Sequence, residues 1–200
     1  MGHKFAEIAF TPTVKKAQER NRSRRGYARL EEGAAHHDSL GSREMAFIAE
    51  RDSFYMATVS ETGWPYIQHR GGPTGFVRII DEKTIGFADF AGNRQYVSVG
   101  NLQSDDRVSM FFMDYPNQTR LKLLGRLRLI EADEAKLLER LRVPDYGARI
   151  ERGMVITIEG YDWNCPQHIT PRFTEAQVLS MVAPLRNRVA ELEAALKANA

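Results

Sequence analysis

A glycine turn, a potential helix cap and an arginine fall together in Phe87-Ala88-Asp89-Phe90-Ala91-Gly92-Asn93-Arg94, where a strand pattern gives way to a helical one. A helix N-terminus offers free backbone N–H groups and partial positive charge, which suits a phosphate monoester. Arg94 can add two parallel N–H donors for two phosphate oxygens. The same residues also fit a capped helix with a solvated arginine. A second basic element, Gln68-His69-Arg70-Gly71-Gly72, puts an arginine at the end of a strand before two glycines that allow close backbone approach. A plain turn with Arg70 in water fits it equally. In Thr119-Arg120-Leu121-Lys122-Leu123-Leu124-Gly125, cations alternate with leucines, so Arg120 and Lys122 share a face with Arg126 and Arg128. That is more positive charge than solubility needs, although an outer solvated face gives the same alternation. The fourth element runs Trp163-Asn164-Cys165-Pro166-Gln167-His168-Ile169-Thr170-Pro171-Arg172 and can present Trp163 and Arg172 to a planar anion by stacking and charge. Cys165 and His168 have the spacing of half a metal site. No second pair complements them, since His36-His37-Asp38 lies in a polar arm, so no metal is expected. A Cys–His nucleophilic pair lacks an identifiable third group to orient it.

The elements that must hold these residues are mostly strands. Phe54 to Val59 is aromatic and β-branched, and Glu61-Thr62-Gly63-Trp64 turns it into Pro65 to Arg70. Further strands are expected at Phe76 to Ile80, Thr84 to Ala88, Val108 to Met113, Leu121 to Ile130 and Met154 to Glu159. Helices are expected at Thr13 to Asn21 behind a Thr11-Pro12 cap, after Ser42 as a cap, from Asn93 to Gln103, and from Glu131 to Leu141. Many short strands and few helices predict a mainly β, closed or partly closed barrel with flanking helices. From Thr174 to Ala198 a helix follows, with Val178, Leu185 and Leu192 at one heptad position and Val182, Val189 and Leu196 at the other. Pro184 should kink it or start it afresh. It packs either on the same chain or against a second subunit. The expected organisation is a polar arm over 1–41, a barrel domain over 42–172 and a C-terminal helix over 173–200.

Composition sets outer limits. With 42% hydrophobic and 27% charged residues the chain can build a core under an ordinary polar surface. A net charge of +2 is not that of a polycation, so nucleic acid is disfavoured as a partner despite the cluster Arg20, Arg22, Arg24, Arg25. One cysteine excludes an internal disulfide, and neither a membrane span nor a signal peptide is legible; a cytoplasmic location is expected.

In order and spacing, these stretches resemble the pyridoxamine 5'-phosphate oxidase-like superfamily of FMN-binding split barrels. The likeness spans roughly Met45 to Arg172 and is closer to the oxidase's flavin-nucleotide-binding relatives than to the oxidase itself. It is carried by Pro65 to Gly72, Gly75-Phe76-Val77-Arg78, Gly92-Asn93-Arg94, Thr119 to Gly125 and Trp163 to His168. The resemblance implies FMN as cofactor, with Arg70 reaching the flavin nucleotide and Gln68, His69 and Gly71 beside it. Phe87 and Ala88 would lie along the ring, and Asn93 and Arg94 would stand where the oxidase grips phosphate. Arg120 and Lys122 would lie near the ring's N1–O2 edge. It further implies a homodimer whose subunits share each FMN, with Trp163 and Arg172 completing the site across the interface. Asn93 replaces one phosphate-gripping cation, so anion binding would lean on Arg94, Arg70 and the helix end. The oxidase's C-terminal arginine-histidine signature is not recognisable, so pyridoxamine phosphate is not the expected substrate. The expected function is an FMN-dependent oxidoreductase acting on an unidentified small molecule, with no catalytic acid or base assigned. The alternatives are a non-enzymatic flavin protein, or the same barrel holding a deazaflavin or haem.

Overall fold

Alternation in sequence becomes alternation in space in the computed structural model, which describes residues 2–163 and 165–198, Ala132 by its backbone alone. Asn164 lies outside the described residues. In chain order the elements are α1 (Lys4–Ala9), α2 (Pro12–Arg20), α3 (Arg24–Ala28), α4 (Ser42–Ala49), β1 (Ser53–Val59), β2 (Pro65–Gly71), β3 (Arg78–Asp81), β4 (Thr84–Phe90), α5 (Val97–Asn101), β5 (Arg107–Asp114), β6 (Thr119–Ile130), α6 (Ala135–Arg140), β7 (Ile150–Trp163) and α7 (Glu175–Ala198), with short 3-10 turns before α4 and α6. The strands form one seven-stranded sheet in the order β2-β1-β5-β6-β7-β4-β3. The ladders β1–β2, β1–β5, β3–β4, β4–β7 and β6–β7 are antiparallel.

Two compact units divide the chain. The first, Met1–Met113 with Arg120–Cys165, holds the core. Every second residue of β1 and β5 is buried, which places Phe54, Met56, Val108, Met110 and Phe112 together. β4 is buried on both faces: Ile85 and Phe87 enter the main core, while Ala88 faces a smaller cluster with Ile130, Leu141 and Val155. That double burial fixes β4 in register with β7, so Asp89 pairs with Arg152 and Ala88 with Gly153. Phe76 and Val77, expected in a strand, are buried just before β3 begins. Leu121, Leu123 and Leu127 are buried on one face of β6 while Arg126 and Arg128 are exposed on the other.

Thr11 caps α2, its hydroxyl accepting from the Val14 N–H at 3.3 Å. Ser42, expected as the cap of α4, is instead its first residue. Gly41 takes the cap position, and its N–H donates to Glu44 Oε2 at 3.0 Å. Of the basic cluster, Arg24 is drawn into the chain's own structure, sharing Glu31 with Lys15 at 2.8 Å each.

The second unit, Asp114–Thr119 with Pro166–Ala200, contains α7. This helix runs unbroken through Pro184, and none of its described residues is buried. None of the described helices is long and apolar enough to cross a membrane.

Candidate functional site

Two hollows that share Gln68, Arg70, Asp89 and Phe90 lie where β2 and β4 end. One, of about 220 Å³, is lined further by Gly92, Asn93, Arg94, Tyr96 to Val99 and Glu151. The other, of about 160 Å³, is lined by His69, Gly71, Phe76, Phe87 and Ala88 besides the shared four. Eight of the twelve residues singled out in the sequence are therefore brought to one continuous surface: Gln68, His69, Arg70, Gly71, Phe87, Ala88, Asn93 and Arg94. One hollow has aromatic walls, from Phe76 and Phe87; the other is edged by the cations Arg70 and Arg94.

The polar residues form two linked sets. Asp89 is buried and accepts from Arg70 Nη1 at 2.5 Å, while Arg152 Nε stands 3.6 Å from its other oxygen. Burial pushes the Asp89 carboxyl up from its ordinary value, against the pull of Arg70 and Arg152. At the outer edge, Arg94 Nε donates to the Tyr96 hydroxyl, which donates to Glu151 Oε1, each at 3.2 Å. Arg149 Nη2 meets the same oxygen at 3.0 Å. Four guanidiniums thus face two carboxylates, an excess of positive charge that a dianion would neutralise. Arg70 Nε and Arg152 Nε are buried with no hydrogen-bond partner. Arg152 lines neither hollow, so it is the positive excess carried at the surface by Arg70 and Arg94 that fits an anionic group.

The loop before α5 differs from expectation. The helix expected from Asn93 to Gln103 spans only Val97–Asn101, so Gly92-Asn93-Arg94 does not sit at a helix end. Arg94 and Tyr96 adopt left-handed φ values of 61° and 53°, which interrupts the helical path, and Asn93 Oδ1 accepts from the Gln95 N–H at 3.2 Å to form a turn. Side chains and the fold of this loop, not a helix terminus, would have to hold an anion here. α5 pins the loop from behind: Ser98 Oγ donates to Gln68 Oε1 at 3.1 Å, and Asn101 Nδ2 donates to Thr58 Oγ1 at 2.9 Å in the interior. The glycines after Arg70 also have a local reason. A Cβ on Gly72 would come within 2.8 Å of the Phe76 ring, so the bare backbone lets Phe76 fold under the hollow.

Arg120, Lys122 and Trp163 line neither hollow of their own chain. Arg120 lies over the Phe111 ring with its Nε buried and unpartnered. Lys122 pairs with Asp162 at 2.8 Å and lies over Phe5. Trp163 is held by its own chain: its Nε1–H donates to Glu44 Oε1 at 2.7 Å, Phe47 packs edge-on, and the Arg43 guanidinium covers the ring at 4.2 Å. The face shared by four cations is therefore largely paired, since Arg126 meets Glu159 and Asp106 and Arg128 meets Glu134. Arg172 belongs to the second unit and lies over the Tyr115 ring at 4.9 Å. Among the described residues no cluster of His, Cys, Asp and Glu could hold a metal ion.

The sequence reading left Asp89, Tyr96, Ser98, Glu151 and Arg152 without a role. Asp89 lay inside the quoted motif, and a charged residue in an otherwise apolar strand was the available signal. Its partners lie 19 and 63 positions away in sequence: Arg152 is set against it by the β4–β7 register, and Arg70 reaches it from β2, a strand not paired with β4.

Residues 42–165 match the family model for pyridoxamine 5'-phosphate oxidase. No curated protein matches the sequence. Among solved structures, HupZ from Group A Streptococcus is similar at 15% identity, covering 67% of this chain and 100% of its own, with a TM-score of 0.50. A variant of the same protein gives 13% identity, 62% and 99% coverage and a TM-score of 0.51. An FMN-binding protein from Syntrophomonas wolfei subsp. wolfei gives 14% identity, 74% and 97% coverage and a TM-score of 0.47. At these identities the likeness to HupZ is one of fold. The sheet, its flanking helices and the match across more than half of the sequence agree: the chain belongs to the pyridoxamine 5'-phosphate oxidase family and has its FMN-binding split-barrel fold.

Proposed function

We propose that the joined hollows hold flavin mononucleotide and that the protein is an FMN-dependent oxidoreductase. The observation that carries this reading is the meeting of an aromatic-walled hollow with one edged by the cations Arg70 and Arg94. Family membership supports the cofactor class. Arg94, Arg70 and Asn93 would take the phosphate, and Phe87, Ala88, His69, Gln68 and Gly71 the ring side. Bound flavin supplies two-electron redox chemistry at its ring.

The chain's own contribution is binding and orientation. The Asp89 carboxylate fixes the Arg70 guanidinium, so little side-chain freedom remains to be lost when a ligand arrives. Ser98 fixes the Gln68 amide in the same way, leaving its N–H₂ group for the hollow. Tyr96 and Glu151 restrain Arg94 at the entrance. Arg120, Lys122, Trp163 and Arg172 would complete the site from the second copy of a homodimer. Purified protein, denatured after washing, should release FMN, and the holoprotein should be reduced by a nicotinamide donor. Release of FMN without turnover would support a flavin carrier instead; no flavin, released or reconstituted, overturns both.

A further inference from the structure

The last helix carries an apolar stripe that is exposed at all its positions but Val182, which is half-buried. Val178, Leu185, Val189, Leu192 and Leu196 of α7 are all exposed, Leu185 and Leu196 at 69% and 71%. Their spacing is that of a heptad over three repeats, and residue type sorts by position: valine, valine and leucine at 182, 189 and 196, and valine, leucine and leucine at 178, 185 and 192. β-branched residues at the first position with leucine at the second favour two parallel strands.

The flanking charges choose the orientation. In a parallel pair in register, each residue just before the seam faces the partner's residue five positions on, which sets Arg188 against Glu193 of the partner subunit. Arg186 then faces Met181 of the partner subunit, with no like charge. The antiparallel arrangement that keeps the apolar layers pairs Val189 with Leu185 and Val182 with Leu192. It brings Arg186 against Arg186 and Arg188 against Arg188, both repulsive. Arg188 already reaches Glu191 on its own helix at 2.9 Å and keeps further N–H donors for a second carboxylate. Pro184 falls on the side away from the seam, where its missing N–H disturbs no packing.

We infer that α7 pairs with α7 of a second copy, parallel and in register, as a short two-stranded coiled coil. This surface is independent of the flavin reading. The test uses the full chain with Cys165, an exposed free thiol, replaced by serine. Under mild oxidation Leu196→Cys should give a disulfide-linked dimer, because parallel pairing puts the two 196 positions side by side, whereas antiparallel pairing puts each opposite Val178. Ala183→Cys, on the outer face, is the control and should cross-link about tenfold less or lower still. Arg188→Glu should reduce the Leu196→Cys cross-link, and adding Glu193→Arg should restore it. Equal cross-linking at the two positions, no cross-link at Leu196→Cys, or no restoration by the charge swap would each overturn the inference.

Discussion

Removing the Asn101 side chain tests how α5 holds the binding loop. Asn101 Nδ2 donates to Thr58 Oγ1 at 2.9 Å, and both residues are buried, Thr58 at 1% exposure. Asn101→Ala loses a net hydrogen bond of about 1 kcal/mol and strands a buried hydroxyl at about 1–3 kcal/mol. A total near 2–4 kcal/mol is expected, which for a chain of this length lowers Tm by about 4–16 °C. Thr58→Val should cost a similar amount, since it leaves the buried amide without its acceptor. The double variant Thr58→Val with Asn101→Ala removes both polar groups at once and should cost less than the sum, by about 1–2 kcal/mol. Urea unfolding of the four proteins gives this coupling energy directly. Because α5 also bonds Gln68 through Ser98, Asn101→Ala should weaken FMN binding alongside stability. Additive costs would refute the claim that this hydrogen bond, and not packing alone, seats the helix.

Three further outcomes follow from the structure. Burial, with repulsion from neighbouring histidines, holds His3 and His37 below the ordinary histidine value. The unfolded chain therefore protonates first, so stability from these groups is complete above roughly pH 6.5 and falls as pH drops below it. The protection of residues 2–9 against hydrogen exchange, relative to the intrinsic rate at each pH, should fall as pH drops through that range, and His37→Gln should flatten the change. Leu141 is fully buried over Gly86 and Gly153, so close that a Cβ on Gly153 would meet one of its methyls at 2.7 Å. Leu141→Ala should cost about 2–5 kcal/mol and Gly153→Ala about 1–3 kcal/mol by thermal unfolding. Trp163→Phe keeps the edge contact with Phe47 but leaves Glu44 Oε1 without the indole donor, for a loss of about 1–3 kcal/mol. Unchanged stability there would mean that the indole N–H contributes nothing.

What the sequence made legible is what short-range periodicity encodes. β1, β5 and β6 announce themselves by apolar residues at every second position, because one face of each is buried. The helix from Asn93 to Gln103 was over-read for the same reason. Tyr96, Val99 and Leu102 have helical spacing, yet spacing carries no information on the left-handed backbone at Arg94 and Tyr96. Most of the residues that line the two hollows fall in short motifs with a cation and glycine that the sequence displays. The Arg70–Asp89–Arg152 cluster was not legible, since it depends on the β4–β7 ladder setting Arg152 opposite Asp89 and on the sheet bringing β2, with Arg70, to the end of β4. α7 also runs continuously through Pro184, where local propensity argued for a break.

The binding claim is tested most directly by titrating protein freed of flavin with FMN and with riboflavin, in parent and Arg94→Ala proteins. Riboflavin carries the same ring without the phosphate. If the Arg94 side of the hollow takes the phosphate, FMN should bind the parent far more tightly than riboflavin. Arg94→Ala should then lower FMN affinity about 10–150-fold, the loss of one charged hydrogen bond worth about 1.5–3 kcal/mol, and leave riboflavin unchanged. Equal affinity of the parent for the two ligands, or an Arg94→Ala protein that binds FMN as well as the parent, would contradict it.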